Sequence, residues 1–202
     1  MKRYIYKQLL AWKNEKEHKP LILNGARQVG KTYILREFGR NEYKRMAFFS
    51  LDRDQKALEI FNKGGRATDM LMALSAICHE DITPHDTLVV LDEIQNCPKA
   101  LEALKFFCEE TPEIDIVVAG SLLGLSIHSG VSYPVGKVEE LHLYPMTFLE
   151  FLEAMGKTQL VNLLENKNWT VINMLETELI SSLRQYYYVG GMPAAVLAHI
   201  EK

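Results

Sequence analysis

Residues 25–32 read GARQVGKT, a complete fit to G-x-x-x-x-G-K-[ST]. Two glycines, a lysine and a hydroxyl at this spacing are suited to holding the phosphates of a nucleoside triphosphate. Gly25 and Gly30 let the backbone turn tightly and aim N–H groups at an anion. Lys31 reaches for the β- and γ-phosphates, and the Thr32 hydroxyl is a candidate ligand for Mg²⁺. The candidate nucleotide-binding set is therefore Gly25, Ala26, Arg27, Gln28, Val29, Gly30, Lys31, Thr32 and Tyr33. The competing reading is a glycine-containing surface turn. The context favours the phosphate loop. An apolar run, PLILN at 20–24, precedes it. KTYILREFG at 31–39 follows, with Ile34, Leu35 and Phe38 at helical spacing, a dipole whose positive end faces the loop, and Gly39 as the expected stop.

A triphosphate site also needs a metal ligand and a group that acts on water. TLVVLDE at 87–93 is a continuous apolar run, expected of a strand buried on both faces, and it ends in two carboxylates. Asp92 would sit beside Thr32 and share the metal, and Glu93 would orient and polarise the attacking water. The plainer alternative is that the pair caps the next helix. A further apolar strand, IDIVVAG at 114–120, ends at Ser121. Ser121 is a candidate catalytic residue that holds the lytic water, or else an N-cap for the segment SLLGLSI. The catalytic set is thus Lys31, Glu93 and Ser121; the metal set is Thr32 and Asp92.

The elements that must position these groups alternate along the chain. A helix is expected over 3–15, strands near 21–24, 46–51, 87–91, 114–119 and 138–143, and helices near 31–38, 54–62, 68–79 and 98–109. Five strands joined by helices imply an α/β sandwich of three layers around a parallel sheet, with ligands at the carboxyl ends of the strands. After Pro145 the patterning turns helical: TFLEFLEAM, QLVNLLEN, TVINMLETELISSLRQYYYV and PAAVLAHI. The expected division is a nucleotide-binding core over 1–145 and a small helical lid over 146–202. The last helical pattern runs to the final residues without a capping residue, as expected of a piece of a longer protein.

The 202 residues carry a net charge of −3 and 48% hydrophobic residues, enough for a sizeable core. Three cysteines, Cys78, Cys97 and Cys108, form no C-x-x-C pair and suit a reducing compartment. The six histidines form no metal pattern. With no signal peptide and no apolar run long enough to span a bilayer, a soluble cytoplasmic protein is expected. Charge is uneven: residues 1–45 hold 12 Lys and Arg against 4 Asp and Glu. That excess could meet nucleic acid or an acidic partner, or simply serve the phosphate site and solubility.

A GTPase would need N-K-x-D, and neither Asn62-Lys63-Gly64-Gly65 nor Asn166-Lys167-Asn168-Trp169 supplies the Asp. A small-molecule kinase needs an arginine-bearing lid, yet no arginine lies between Arg66 and Arg184. The segments GARQVGKT, LVVLDEIQNCP, VVAGSLLG, HLYPMTFLEFL and YYYVGGMPAAV, in this order, resemble a family of prokaryotic AAA-type P-loop ATPases over nearly the whole chain. The resemblance implies sheet order 5-1-4-3-2, ATP or ADP with Mg²⁺ at Lys31, Thr32, Asp92 and Glu93, and a further C-terminal domain outside these 202 residues.

GGMP, Gly190 to Pro193, resembles the Gly-x-Pro lid element of signalling ATPases related to AAA proteins. That resemblance places Pro193 near adenine; the alternative is a helix break with a proline restart. AAA enzymes that assemble usually insert a neighbour's arginine from just before the fifth strand. In SGVSYPVGKVEE the only cation is Lys137, which cannot make a planar bidentate contact. Either Lys137 substitutes weakly or the enzyme works without such a finger. Arg27 is another cationic candidate, or a loop-fixing salt bridge. Because such a finger contributes about 10³–10⁵ in rate, slow hydrolysis is expected. The leading expectation is a Mg²⁺-dependent ATPase that couples nucleotide state to its lid and to a partner or further domain. The alternatives are a nucleotide-gated switch with little hydrolysis and a DNA-associated ATPase. Oligomeric state is left open.

Overall fold

The structure, a computed structural model, describes residues 1–121 and 133–201. The chain divides into two compact units. The first comprises residues 7–27 and 31–143; the second gathers residues 1–6, 28–30 and 144–202.

The larger unit is built on five parallel strands: β1 (Leu21–Gly25), β2 (Arg45–Ser50), β3 (Thr87–Asp92), β4 (Asp115–Gly120) and β5 (Glu139–Leu143). Their order is β2-β3-β4-β1-β5, the one implied by the resemblance. Every residue of β1, β3 and β4 is buried, which is why these strands read as unbroken apolar runs rather than alternating ones. On one face, Ile22, Phe49, Val89, Leu91, Ile116 and Val118 form one core with α3 (Gln55–Lys63), α4 (Ala67–Cys78) and α5 (Pro98–Glu110). The alternate residues Leu21, Leu23, Leu88, Val90 and Val117 are equally buried on the other face.

That face is covered by α2 (Lys31–Glu42), which buries Ile34, Leu35 and Phe38. The expected stop at Gly39 is not made: α2 continues to Glu42. Gly39 serves packing instead. A Cβ there would lie 2.4 Å from Met46 Sδ and 3.4 Å from Leu88 Cδ2, so its missing side chain brings the helix close to β2 and β3. Preceding the sheet is α1 (Ile5–Asn14), which buries Ile5, Leu9 and Trp12.

The second unit is helical: α6 (Phe148–Ala154), α7 (Thr158–Glu165), α8 (Trp169–Met174), α9 (Glu176–Val189) and α10 (Pro193–Ile200). The single long helix suggested by TVINMLETELISSLRQYYYV is two, interrupted at Leu175, whose side chain packs into a small core with Leu152, Leu160 and Val161. A capping box starts α6. Thr147 Oγ1 accepts from the Glu150 N–H at 3.2 Å, and Glu150 Oε2 accepts from the Thr147 N–H at 2.9 Å. Among the described residues no helix is long and apolar enough to cross a membrane.

Candidate functional site

Gly25, buried, ends β1, and Lys31 opens α2, so the phosphate loop spans 26–30 between strand and helix. Ala26, Arg27 and Gln28 are exposed, Val29 is buried and Gly30 half-buried. Gln28 (φ 66°) and Gly30 (φ 98°) both take the left-handed backbone that a tight anion-cradling loop uses. Tyr33 is exposed and turned away from the core. Arg27 makes no ion pair among the described residues, so the expected alternative of a loop-fixing salt bridge is not met.

Lys31 is buried, and its Nζ donates to the carbonyls of Gly25 (2.8 Å) and Ala26 (2.9 Å). Burial pushes its pKa down, and the nearby Glu93 and Asp92 carboxylates pull it back up. The Thr32 hydroxyl donates to Asp92 Oδ2 at 2.7 Å. Asp92, the last residue of β3, is buried; loss of solvation raises its pKa, while the Thr32 hydroxyl and the Glu93 N–H, which donates to Oδ1 at 3.1 Å, hold it down.

Together Thr32 and Asp92 offer a hydroxyl and a carboxylate, the hard oxygen donors that Mg²⁺ takes. No cluster of three or more metal-ligating side chains stands among the described residues. Mg²⁺ commonly takes one or two protein oxygens, with substrate phosphates and water completing its shell. The donor set fits the ion.

Glu93 has φ 56° and ψ 45°, an uncommon backbone for a non-glycine residue, and makes no side-chain cap to the 3₁₀ turn Ile94–Asn96 that follows. The carboxylate instead accepts from the Gln95 amide Nε2. Gln95 Oε1 in turn accepts from the Ser121 N–H at 3.4 Å. Ser121, buried, directly follows β4. Gln95 thus joins the acid at the end of β3 to the polar residue at the end of β4, and nothing in its sequence position marked it out. The segment SLLGLSI that Ser121 was alternatively expected to cap lies, beyond Ser121 itself, outside the described residues. A cavity of about 440 Å³ adjoins Thr32, Asp92 and Glu93 and is also lined by Arg36, Ser50 and Arg53, leaving ample room for water beside the acid pair.

Lys137, just before β5, is engaged with Glu109 on α5 at 2.9 Å, and that carboxylate raises its pKa. Much of the N-terminal basic excess is likewise committed. Arg3 is buried, Lys44 pairs with Asp86 at 2.9 Å, and the Arg36 guanidinium stacks 3.9 Å over the Phe48 ring.

In the helical unit, Gly190 (φ 78°) ends α9, its N–H donating to Tyr186 O at 2.8 Å, and Pro193 is the first residue of α10. The helix break and proline restart are therefore present. Pro193 also lies close to the loop: a Cβ on Gly30 would stand 3.8 Å from Pro193 Cγ. Gly191 is required by packing, because a Cβ there would be 2.4 Å from the Met146 carbonyl oxygen.

Similar folds occur in a Walker-type ATPase of Pyrococcus abyssi (17% identity, TM-score 0.57, covering 99% of this chain and 67% of that one). They occur also in Drosophila ORC bound to DNA (16%, 0.56, 96% and 58%) and in AMPPCP-bound DnaA from Aquifex aeolicus (14%, 0.54, 98% and 58%). This chain spans about three-fifths of the length of the latter two. No curated protein matches it significantly in sequence. The sequence profile of the AAA domain matches residues 17–152, most of the sheet unit and the start of the helical one. The chain belongs to the AAA domain family of P-loop ATPases.

Proposed function

We propose that the chain binds ATP with Mg²⁺ and hydrolyses it to ADP and phosphate. The observation that carries this reading is the 2.7 Å contact between Thr32 and Asp92, with Lys31 and Glu93 beside it. Lys31, now on the loop carbonyls, would exchange those partners for the phosphates and offset the charge that builds on them during transfer. Thr32 and Asp92 would hold Mg²⁺, which supplies charge neutralisation on the transferred group. Glu93 accepts a hydrogen bond from the attacking water, whose oxygen bonds to the γ-phosphorus in line as the bond to the β-phosphate oxygen breaks. ADP takes the electron pair of that bond, and the proton leaves with phosphate or solvent.

No described arginine lies just before β5, and Lys137 is occupied by Glu109, which supports slow turnover. The pairing of the Glu93 carboxylate with Gln95 supports a second reading, a switch that binds nucleotide and hydrolyses little. Phosphate release from Mg²⁺-ATP, measured beside Lys31→Ala and Glu93→Gln, separates the two. An ATPase loses turnover in both variants and keeps nucleotide binding in Glu93→Gln. A switch shows negligible turnover throughout and loses binding in Lys31→Ala only. Undiminished turnover in Lys31→Ala would end the ATPase reading.

A further inference from the structure

We infer that Arg3 is a positioning residue for the phosphate loop, fixing the Val29–Gly30 peptide so that its N–H is presented to a nucleotide phosphate; the inference rests on the nucleotide-site reading above. Arg3 precedes α1 and is 94% removed from solvent. Its three guanidinium nitrogens are all used within the helical unit. Nε donates to Glu150 Oε1 at 3.1 Å, Nη1 to the Val29 carbonyl at 2.9 Å and Nη2 to the Tyr144 carbonyl at 2.6 Å.

A peptide unit is planar and trans, so its C=O and N–H point in opposite directions. An arginine that pulls the Val29 oxygen toward itself therefore turns the Gly30 N–H away from itself. Among the described residues no group accepts from that N–H. A donor held in place without a partner is what an anion-binding loop needs. Gly30 is suited to this because its φ of 98° is open to glycine and strained for other residues.

The hold on Arg3 is itself braced. Glu150 is 96% buried, and Oε1 also accepts from the Tyr4 N–H at 2.8 Å, while Oε2 closes the capping box of α6. The acid that starts α6 thereby fixes the guanidinium that fixes the loop. The planar fork holds a carboxylate and two carbonyls from three nitrogens in fixed directions, which the single nitrogen of a lysine does not.

The test is nucleotide affinity of Arg3→Lys against the wild-type chain, by isothermal titration with ATP, ADP and AMP. Lysine keeps a charge for Glu150 and loses the fork. The expected result is binding of ATP and ADP weakened about tenfold or more, the scale of one charge-assisted hydrogen bond, with AMP affinity unchanged. Equal loss for all three would mean a general structural role and overturn the inference, as would no loss. If the wild-type chain itself binds no nucleotide, the site reading fails rather than this one.

Should Arg3→Lys not fold, the Gly30 amide of the wild-type chain decides by NMR. A large shift with ADP and little with AMP supports the inference, and an unmoved amide overturns it.

Discussion

The Thr32 hydroxyl donates directly to Asp92 Oδ2 at 2.7 Å, joining the first turn of α2 to the last residue of β3. These two oxygens lie where a shared cation would separate hydroxyl and carboxylate. ATP affinity of the wild-type chain is therefore expected to fall at least about tenfold when Mg²⁺ is chelated. Asp92→Asn is expected to bind ATP at that chelated level with or without the metal. A Mg²⁺ response in Asp92→Asn equal to that of the wild type would remove Asp92 from the metal site.

Gln95 links Glu93 to the backbone of Ser121. Its amide donates to the carboxylate of a residue whose backbone is left-handed. Gln95→Ala is expected to change kcat by about tenfold or more while ADP affinity stays the same, since proton-handling groups contribute about 10²–10⁴ when well placed. A fall exposes an aligning role, and a rise shows that Gln95 restrains the acid. An unchanged kcat means the contact has no part in turnover.

Gly191 stands against backbone, which cannot move aside as a side chain can. Its carbonyl accepts from the Met146 N–H at 2.7 Å, and the Tyr186 hydroxyl donates to the Met146 carbonyl at 2.8 Å. Gly191→Ala is expected to destabilise the helical unit by about 1–3 kcal/mol, the cost of overpacking. Urea unfolding followed by tyrosine fluorescence would detect this; an unaltered midpoint would show that the strand of contacts can shift freely.

His18 reports on the far end of the sheet. Its Nε2 lies 2.9 Å from Asp115 Oδ1 and its Nδ1 2.9 Å from the Glu15 carbonyl, and His85 stands 4.0 Å from the same carboxylate oxygen. The hydrogen bond to Asp115 is the main reason that the His18 pKa is raised, with burial opposing it. A raised folded pKa means that the charged ring is favoured in the folded state. Its contribution is complete below the unfolded value of about 6.5 and is lost as pH rises through the folded value. Thermal stability is expected to decline as pH rises above about 6.5, and His18→Gln to flatten that decline. An equal slope in both proteins would assign the titration elsewhere.

β1, β3 and β4 were legible because each is a buried apolar run, whereas β2 and β5 are only partly buried; the ends of all five agree with the sequence reading within about one residue. The phosphate loop and the acid pair were legible because their spacing is local. Gly39 misled, because glycine at a helical position signals either a stop or a close approach, and only Met46 and Leu88 across the fold decide which. Leu175 was invisible as a break, since leucine favours helix and the interruption comes from packing in the helical unit. Arg3, Glu150 and Gln95 escaped for a shared reason. Each acts through partners that the pattern of one segment cannot supply, and Arg3 and Glu150 are separated by 147 positions.

That separation has a consequence for synthesis. Chains emerge from the ribosome amino end first, and sheet units can gain structure as they appear. When Leu143 has emerged, all five strands are available. The carboxylate that clamps Arg3 lies a few residues further on and is still enclosed in the ribosome. The ligand-holding turn, though translated well before Glu150, thus acquires its brace only after the sheet strands are out. Nascent chains halted with Leu143 outside the ribosome and Glu150 still inside are expected to retain nucleotide poorly, and those halted with α10 outside to retain it well.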